Sequence, residues 1–346
     1  MKAIVISEHG GFSVLKSDQA ERPKIEADEV LVRVSCVALN HLDLWVRKGV
    51  PGHRFPLPII PGCDISGVIE EVGELVKNVR PGDRVAVAPG YADTTSELAL
   101  QGQDHLTRDY GIFGETRDGG CAEFVNLPAR NVMKMPEHMD YPEAAAFPLT
   151  FLTAWGMMVR KAQIAQSEEV LIHAAGSGVS VACIQIAKLF NARRIFATAG
   201  SKEKLDKAAA LGVDIGINYR EDDFLAVVKE ATGKAGVDIV VDHVGPDTFA
   251  KSLSALKKGG RLVTCGSTSG GTTEVNLRQV FFKSLSILGS TMAPRGDLVE
   301  LWKLHCEGKL KPVVDKVFPA RDIGKAHEYL ESRKAFGKVV VDMREW

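Results

Sequence analysis

The chain lacks a dominant charge, a long apolar run, an internal repeat and any ordered array of cysteines. Its 43 Lys and Arg stand against 44 Asp and Glu, a formal net charge of -1. That balance offers no basic face to nucleic acid or to an anionic membrane, so neither partner is expected and the substrate is expected to be a small molecule. No stretch of about 18 uninterrupted apolar residues is present to span a bilayer. The N-terminal MKAIVISEHG runs straight into a strand pattern, without the apolar core of a signal peptide. The six cysteines, Cys36, Cys63, Cys121, Cys183, Cys265 and Cys306, share no repeated spacing. No disulfide framework is expected, and a reducing, cytoplasmic location is.

What is present is a two-part alternation. At 346 residues, with 45% hydrophobic and 25% charged residues, the chain reads as soluble, globular and too long for one core. The first 145 residues are short strands (KAIVI, EVLVRVSCVAL, DISGVIEEVG, DRVAVAP, CAEFVNLP) punctuated by turns such as PGD at 81–83 and DGG at 118–120. They predict an all-β subdomain. PEAAAFPLTFLTAWGMMV reads as a helix opened by Pro142 and Glu143. From Glu168 strands and helices alternate (EEVLIHAA, GVSVACIQIAKLFNA, RIFATA, KEKLDKAAALG), which argues for an α/β, doubly wound parallel sheet.

The stretch VLIHAAGSGVSVACIQIAK follows a strand and opens a helix, the context of a dinucleotide loop. Gly176-x-Gly178 is followed by a bulky Val181. A register of Ala175, Ser177 and Ser180 fits better, because the third position must let helix and strand pack closely. Gly176, Ser177, Gly178, Val179 and Ser180 then present backbone N–H groups to a pyrophosphate. The next strand ends ATAGSKEK, where an NAD-binding strand should end in Asp or Glu. With the acid gone, Ser201, Lys204 and Tyr219 suit a 2′-phosphate, and NADP(H) is preferred over NAD(H).

One segment is defined by what it has lost. Between Pro89 and Gly114 the chain has the length and punctuation of a zinc lobe built on C-x2-C-x2-C-x7-C, but its four positions hold Asp93, Ser96, Ala99 and Thr107. That set cannot form a closed thiolate cage. The lobe is expected to fold without metal, on packing of Leu98, Leu100, Leu106 and Ile112.

Over its whole length the chain resembles the medium-chain dehydrogenase/reductase superfamily, and within it the quinone oxidoreductase-like branch. The resemblance rests on ALNHLDLWVRKG, IPGCDISGVIEEVG, VRPGDRV, GGCAEFV, PEAAAFPLTFLTAW, AAGSGVSVACIQIAK and ATAGSKEK. It implies a GroES-like β domain (1–149 and 292–346) split around a Rossmann domain (150–291). It places the Cys, His and Cys that hold a catalytic zinc on Asn40, Cys63 and Leu149, and the proton-relaying hydroxyl on Leu42. It also implies that His41 faces the pyrophosphate, that Thr153, Gly266 and Ser290 lie beside the nicotinamide, and that Lys338 assists at the phosphates.

No zinc is therefore expected, although Cys63, Asp64, His41 and Asp43 remain a rival metal set. Hydride addition to a quinone or to the C=C of an α,β-unsaturated carbonyl needs no strong Lewis acid, only donors aimed at the developing oxyanion. Asn40 is the candidate donor. Trp45 is a pocket wall or core, and Cys63 a second catalytic candidate or a small inert residue. Two other readings stay open: an alcohol/aldehyde dehydrogenase with a relocated metal, and an NADPH-binding protein of low turnover, of the crystallin type. A homodimer is expected through the strand edge near SILGSTM.

Overall fold

A computed structural model describes all residues, Met1–Trp346. The packing divides the chain into Met1–Leu149 with Pro294–Trp346, and Thr150–Ala293; the chain returns to the first unit at Pro294 rather than at 292.

The first unit is built on a seven-stranded sheet. Its main path runs Val314–Pro319, Lys338–Asp342, Glu29–Leu39, Asp64–Val72, Arg84–Val87 and Val132–Lys134, with Phe124–Pro128 also pairing to Glu29–Leu39. The long strand EVLVRVSCVAL is buried at every position except Arg33, so both of its faces lie in core. Val32, Val34, Ile65, Val85, Val125 and Val341 fill that core. β-branched side chains suit such a pleated, covered surface.

The second unit carries six parallel strands in the order Ile215–Asn218, Arg194–Ala199, Glu169–Ile172, Val237–Val241, Leu256–Thr264 and Ser286–Gly289. The third, second and first strands in chain order thus precede the fourth, fifth and sixth. This is the doubly wound order, with its reversal beside the Glu169–Ile172 strand. The apolar run VLI and the strand VDIVV are buried throughout, as a sheet covered on both faces requires.

The segment expected as one helix is three. Tyr141–Ala146 ends before Pro148, which lacks the N–H to continue it and instead opens Pro148–Trp155. A π-helical turn, Gly156–Lys161, follows. A side chain at Gly156 would strike the Met292 carbonyl, so only glycine permits that approach.

The lobe departs from expectation in how it is held. Leu98, Leu100 and Leu106 are exposed, so their packing is not what holds it. Polar groups, several at the vacated cysteine positions, do that work. The Asp93 Oδ1 accepts from Thr95 N–H at 2.8 Å. Ser96 caps the Glu97–Leu100 helix, and the Thr107 hydroxyl donates to the Asp104 carbonyl at 2.9 Å. Asp104 in turn accepts the Arg295 N–H at 3.1 Å, and Gly90–Tyr91 pairs with Gly111–Ile112. Turn and cap residues have thus replaced a cage. Ser96→Ala is expected to cost about 1 kcal/mol by urea unfolding. Excess chelator is expected to leave the melting temperature unchanged, and a large drop would contradict a lobe held by hydrogen bonds.

Candidate functional site

In the second unit the Glu169–Ile172 strand ends in a loop that opens the Gly178–Leu189 helix. Ser177 is its N-cap, accepting the Ser180 N–H at 3.1 Å. The Ser180 side chain is fully buried and donates to the His173 carbonyl at 2.7 Å, so helix and strand meet at a small residue. Gly176, Ser177, Gly178 and Val179 remain partly exposed around the helix N-terminus. A twelve-residue helix that ends there in partly open N–H groups is suited to an anion such as a pyrophosphate.

Sequence reasoning missed His243, which follows the Val237–Val241 strand. Its Nε2 lies 3.2 Å from Ser177 Oγ, which brings an imidazole to the rim of the loop. Nothing in the sequence marks it, since the pairing spans 66 positions. The next residues are fixed from below. Asp242 accepts the Val244 and Gly245 N–H groups at 3.0 and 3.1 Å, and the Ser252 hydroxyl at 2.6 Å, while Ser252 also meets His173 at 2.9 Å.

At the ribose end, Gly200 and Ser201 follow the Arg194–Ala199 strand. Ser201 caps the next helix, accepting the Lys204 N–H at 3.4 Å. A Cβ at Gly200 would lie 2.5 Å from the Tyr219 hydroxyl and 3.2 Å from Arg220 Nε. Of the three expected groups, Ser201 and Tyr219 thus share this corner with a cation the sequence reading passed over, while Lys204 meets it through its backbone N–H. Arg220 is exposed, and no ion pair engages its guanidinium. Its signal was its place directly after Tyr219 at a strand end.

Farther along the same edge, Thr153 is buried with its hydroxyl 3.5 Å from Met292 Sδ. The Ser290 hydroxyl is buried without a partner, an acceptor or donor left for something else. Gly266 lines a cavity of about 330 Å³ together with Gly245, Phe249, Thr264 and Thr272. A Cβ at Gly266 would meet nothing nearer than 3.9 Å, so crowding within the chain does not demand a glycine there.

In the first unit the residues at the expected metal positions form a closed polar cluster. Asn40 Oδ1 accepts from Lys338 Nζ at 2.5 Å, and its Nδ2 donates to Asp64 Oδ2 at 2.9 Å and to the Ala38 carbonyl at 3.3 Å. Lys338 Nζ also donates to Asp64 Oδ2 at 2.9 Å, while Asp64 Oδ1 accepts the Leu149 N–H at 2.8 Å. Asp43 accepts the N–H groups of Asn40 and Gly62 at 2.7 and 3.1 Å. Burial pushes the Asp43 carboxyl up to about 6. Burial, reinforced by Asp64 and Asp43, holds the Cys63 thiol well above its usual value.

Two expectations are corrected here. Asn40 has both amide functions engaged inside the protein, so it is not a free donor to a substrate oxygen. Lys338 is 3% exposed and committed to Asn40 and Asp64, so it does not reach out to a phosphate. His41 is exposed on the first turn of the His41–Lys48 helix. Desolvation by its neighbours, then the Arg333 and Lys48 charges, holds its imidazole below the usual value. Trp45 stands edge-on to it at 6.1 Å and packs against the Ile6, Val46, Phe55 and Ile59 cluster, a core contact rather than a reacting group.

Comparison with known proteins gives a family for this arrangement. The alcohol dehydrogenase GroES-like domain matches residues 26–137, and the zinc-binding dehydrogenase domain matches residues 178–306. A quinone oxidoreductase of Lama guanicoe is 32% identical over 99% of this chain and 97% of its own. The chloroplastic NADPH-dependent alkenal/one oxidoreductase of Arabidopsis thaliana is 33% identical over 99% of this chain and 79% of its own. The crystal structure of an NAD-dependent alcohol dehydrogenase superposes with a TM-score of 0.95 at 46% identity, covering 99% of both chains.

The zinc of the family description does not fit these residues. One thiol, a fully engaged amide, an ammonium and a leucine are no tetrahedral donor set. No group of three or more His, Cys, Asp or Glu side chains is placed to hold a metal ion. Lys338→Met strands a buried carboxylate and is expected to cost about 3–5 kcal/mol in urea unfolding. Adding Asp64→Asn should restore much of it. A single-variant loss below ~1 kcal/mol would show that the pair carries no such weight.

Proposed function

The chain belongs to the medium-chain dehydrogenase/reductase superfamily, in its quinone oxidoreductase-like and alcohol dehydrogenase-like branch, and from that premise we propose that it is a zinc-independent, NADPH-dependent reductase of quinones or of the C=C of α,β-unsaturated carbonyls. The observation that carries this reading is the Asn40–Lys338–Asp64 cluster, which fills the expected metal positions with groups that satisfy one another. Alcohol oxidation needs a way to form an alkoxide. Here the metal donors do not fit and Leu42 stands where the relay hydroxyl is expected.

The nicotinamide, when bound, supplies the hydride. The chain's own part is to bind and orient. The Gly178–Leu189 helix N-terminus and Ser177 suit the diphosphate. Tyr219 and Arg220 beside Gly200 suit a 2′-phosphate, with no strand-end carboxylate to repel it. The name of the Arabidopsis relative supports both NADPH and the alkenal/one class. All six cysteines are free, which suits a reducing compartment, and we place the protein in the cytoplasm on that basis.

A second reading, an NAD-linked alcohol dehydrogenase, is favoured by the 46% identity to a solved protein of that description. Incubation with NADPH and a 2-alkenal, followed by product identification, separates the two. Saturated aldehyde supports the proposal, whereas allylic alcohol as the main product contradicts it. Arg220→Ala is expected to raise the KM for NADPH about tenfold, on the scale of about 1.4 kcal/mol, and to leave that for NADH unchanged. Equal effects on both cofactors would remove the 2′-phosphate assignment.

We further propose a homodimer formed on the edge strand Ser286–Gly289. That strand is unpaired on its outer side, and the adjacent Leu277–Phe282 helix exposes Leu277, Phe281 and Phe282. An open edge beside exposed aromatics is a template for a second copy. Phe281→Glu with Phe282→Glu is expected to yield a monomer by light scattering. A dimer that persists would point to another face.

A further inference from the structure

A chain of buried polar side chains runs beneath the loop that opens the Gly178–Leu189 helix. His173 follows the Glu169–Ile172 strand, Thr198 lies near the end of Arg194–Ala199, Asp242 follows Val237–Val241, and Ser252 sits in the Phe249–Ala255 helix. None of the four is more than 2% exposed, and Phe224 meets the imidazole edge-on at 4.8 Å. Each proton in this chain has one place to go. A carboxylate only accepts, so the Ser252 hydroxyl gives its single proton to Asp242 Oδ2 at 2.6 Å. The 2.9 Å contact between Ser252 Oγ and His173 Nε2 is then donated by the imidazole. Burial holds His173 below the usual imidazole value, against the pull of Asp242, so the ring is neutral and its Nδ1 accepts. The Thr198 hydroxyl donates to that Nδ1 at 3.0 Å and accepts the Ala174 N–H at 3.3 Å. One direction of donation therefore runs from Ala174 through Thr198, His173 and Ser252 to Asp242.

Both ends of this chain hold backbone of the proposed nucleotide site. At one end Ala174 stands at φ 52°, in the left-handed region that strains a residue other than glycine. It is kept there by its own N–H on Thr198 and by the Ala175 N–H on the Thr198 carbonyl at 2.8 Å. The Ser177 N–H then closes on the Ala174 carbonyl at 2.8 Å, which sets the entry to the helix. At the other end Asp242 Oδ1 gathers the Val244 and Gly245 N–H groups and the Thr248 hydroxyl, and Gly245 lines the cavity of about 330 Å³. We propose that His173 is a positioning residue for the dinucleotide: as the Nε2-protonated tautomer it ties the 174–177 loop to the 242–245 turn, so that both are set before the cofactor arrives. The assignment rests on the nucleotide site of the reductase reading above. His173 acts only through its neighbours. The position needs a donor at one nitrogen and an acceptor at the other, which neutral imidazole supplies at once.

The test separates the hydroxyl of Thr198 from its volume. Thr198→Val keeps the volume and cuts the link to His173, whereas Thr198→Ser keeps the link and removes a buried methyl. Binding of NADPH and of NADH is read by fluorescence, and stability by urea unfolding. We expect Thr198→Val to raise the Kd of the cofactor that wild type binds about tenfold, the scale of one buried hydrogen bond left unmade. Thr198→Ser is expected to stay within about twofold of wild type in Kd even where it unfolds more readily. Ser252→Ala cuts the chain on the far side of His173 and is expected to raise Kd in the same way, so the comparison stands if one variant does not fold. In ¹⁵N NMR of wild type the His173 ring, assigned by its loss in His173→Gln, should carry its proton on Nε2. Values of Kd that stay unchanged, or that follow unfolding stability rather than the hydroxyl, overturn the assignment alone, as does a ring protonated on Nδ1. A wild type that binds neither cofactor overturns the nucleotide reading and the assignment with it.

Discussion

Much in the first unit depends on one buried ion pair, Lys338 with Asp64. Around it four separate segments meet: the end of the Glu29–Leu39 strand through Asn40, the start of Asp64–Val72, the start of Lys338–Asp342, and the Leu149 N–H. A buried pair of this kind seldom adds much net stability, because desolvation of both charges offsets their attraction. Its value lies in what breaking it would cost. An unpaired carboxylate in that core is far worse than the pair, so the pair fixes where those four segments can sit. Asp43 extends the same logic, tying the first turn of the His41–Lys48 helix to Gly62.

The second unit uses a different device. Its loops are shaped by short hydroxyl and carboxyl side chains that cap helices or hold backbone N–H groups: Ser177, Ser201 and Asp242. Each consumes a polar group locally and leaves the neighbouring strand-end groups free. The result is an edge where helix N–H groups, an unpaired Ser290 hydroxyl and the Tyr219–Arg220 corner all remain available. The proposed nucleotide site would draw on that division between atoms spent on architecture and atoms left over.

The same division explains what could be read from residues alone. The doubly wound sheet was legible because its strands are largely apolar and separated by helices, and the close helix–strand contact after Glu169–Ile172 because Ser180 is small where Val181 is not. Ser201 and Tyr219 were legible as a pair around a missing acid. Side-chain pairings across long sequence separation were not. Lys338 lies 298 positions from Asn40, and no local pattern states that its ammonium faces inward. His243 at Ser177 is hidden for the same reason. The lobe misled in another way. Its leucines suggested a small core, yet a segment so short and open buries little, and its shape comes from caps and turns at Asp93, Ser96 and Thr107.

At both expected metal positions the groups present answer one another. In the lobe, Ser96 and Thr107 make hydrogen bonds that thiols would make poorly. At the centre, Asn40 supplies an acceptor to Lys338 and a donor to Asp64 at once, a dual capacity that cysteine does not have. Restoring a single cysteine at 40 would therefore not restore a metal site. It would leave the ammonium short of one partner and the carboxylate short of another, while Leu149 still offered no side-chain donor. The substitutions hold each other in place. That arrangement is the ground for the proposed chemistry, in which the acceptor is activated by its own conjugation and by neutral hydrogen-bond donors rather than by a cation.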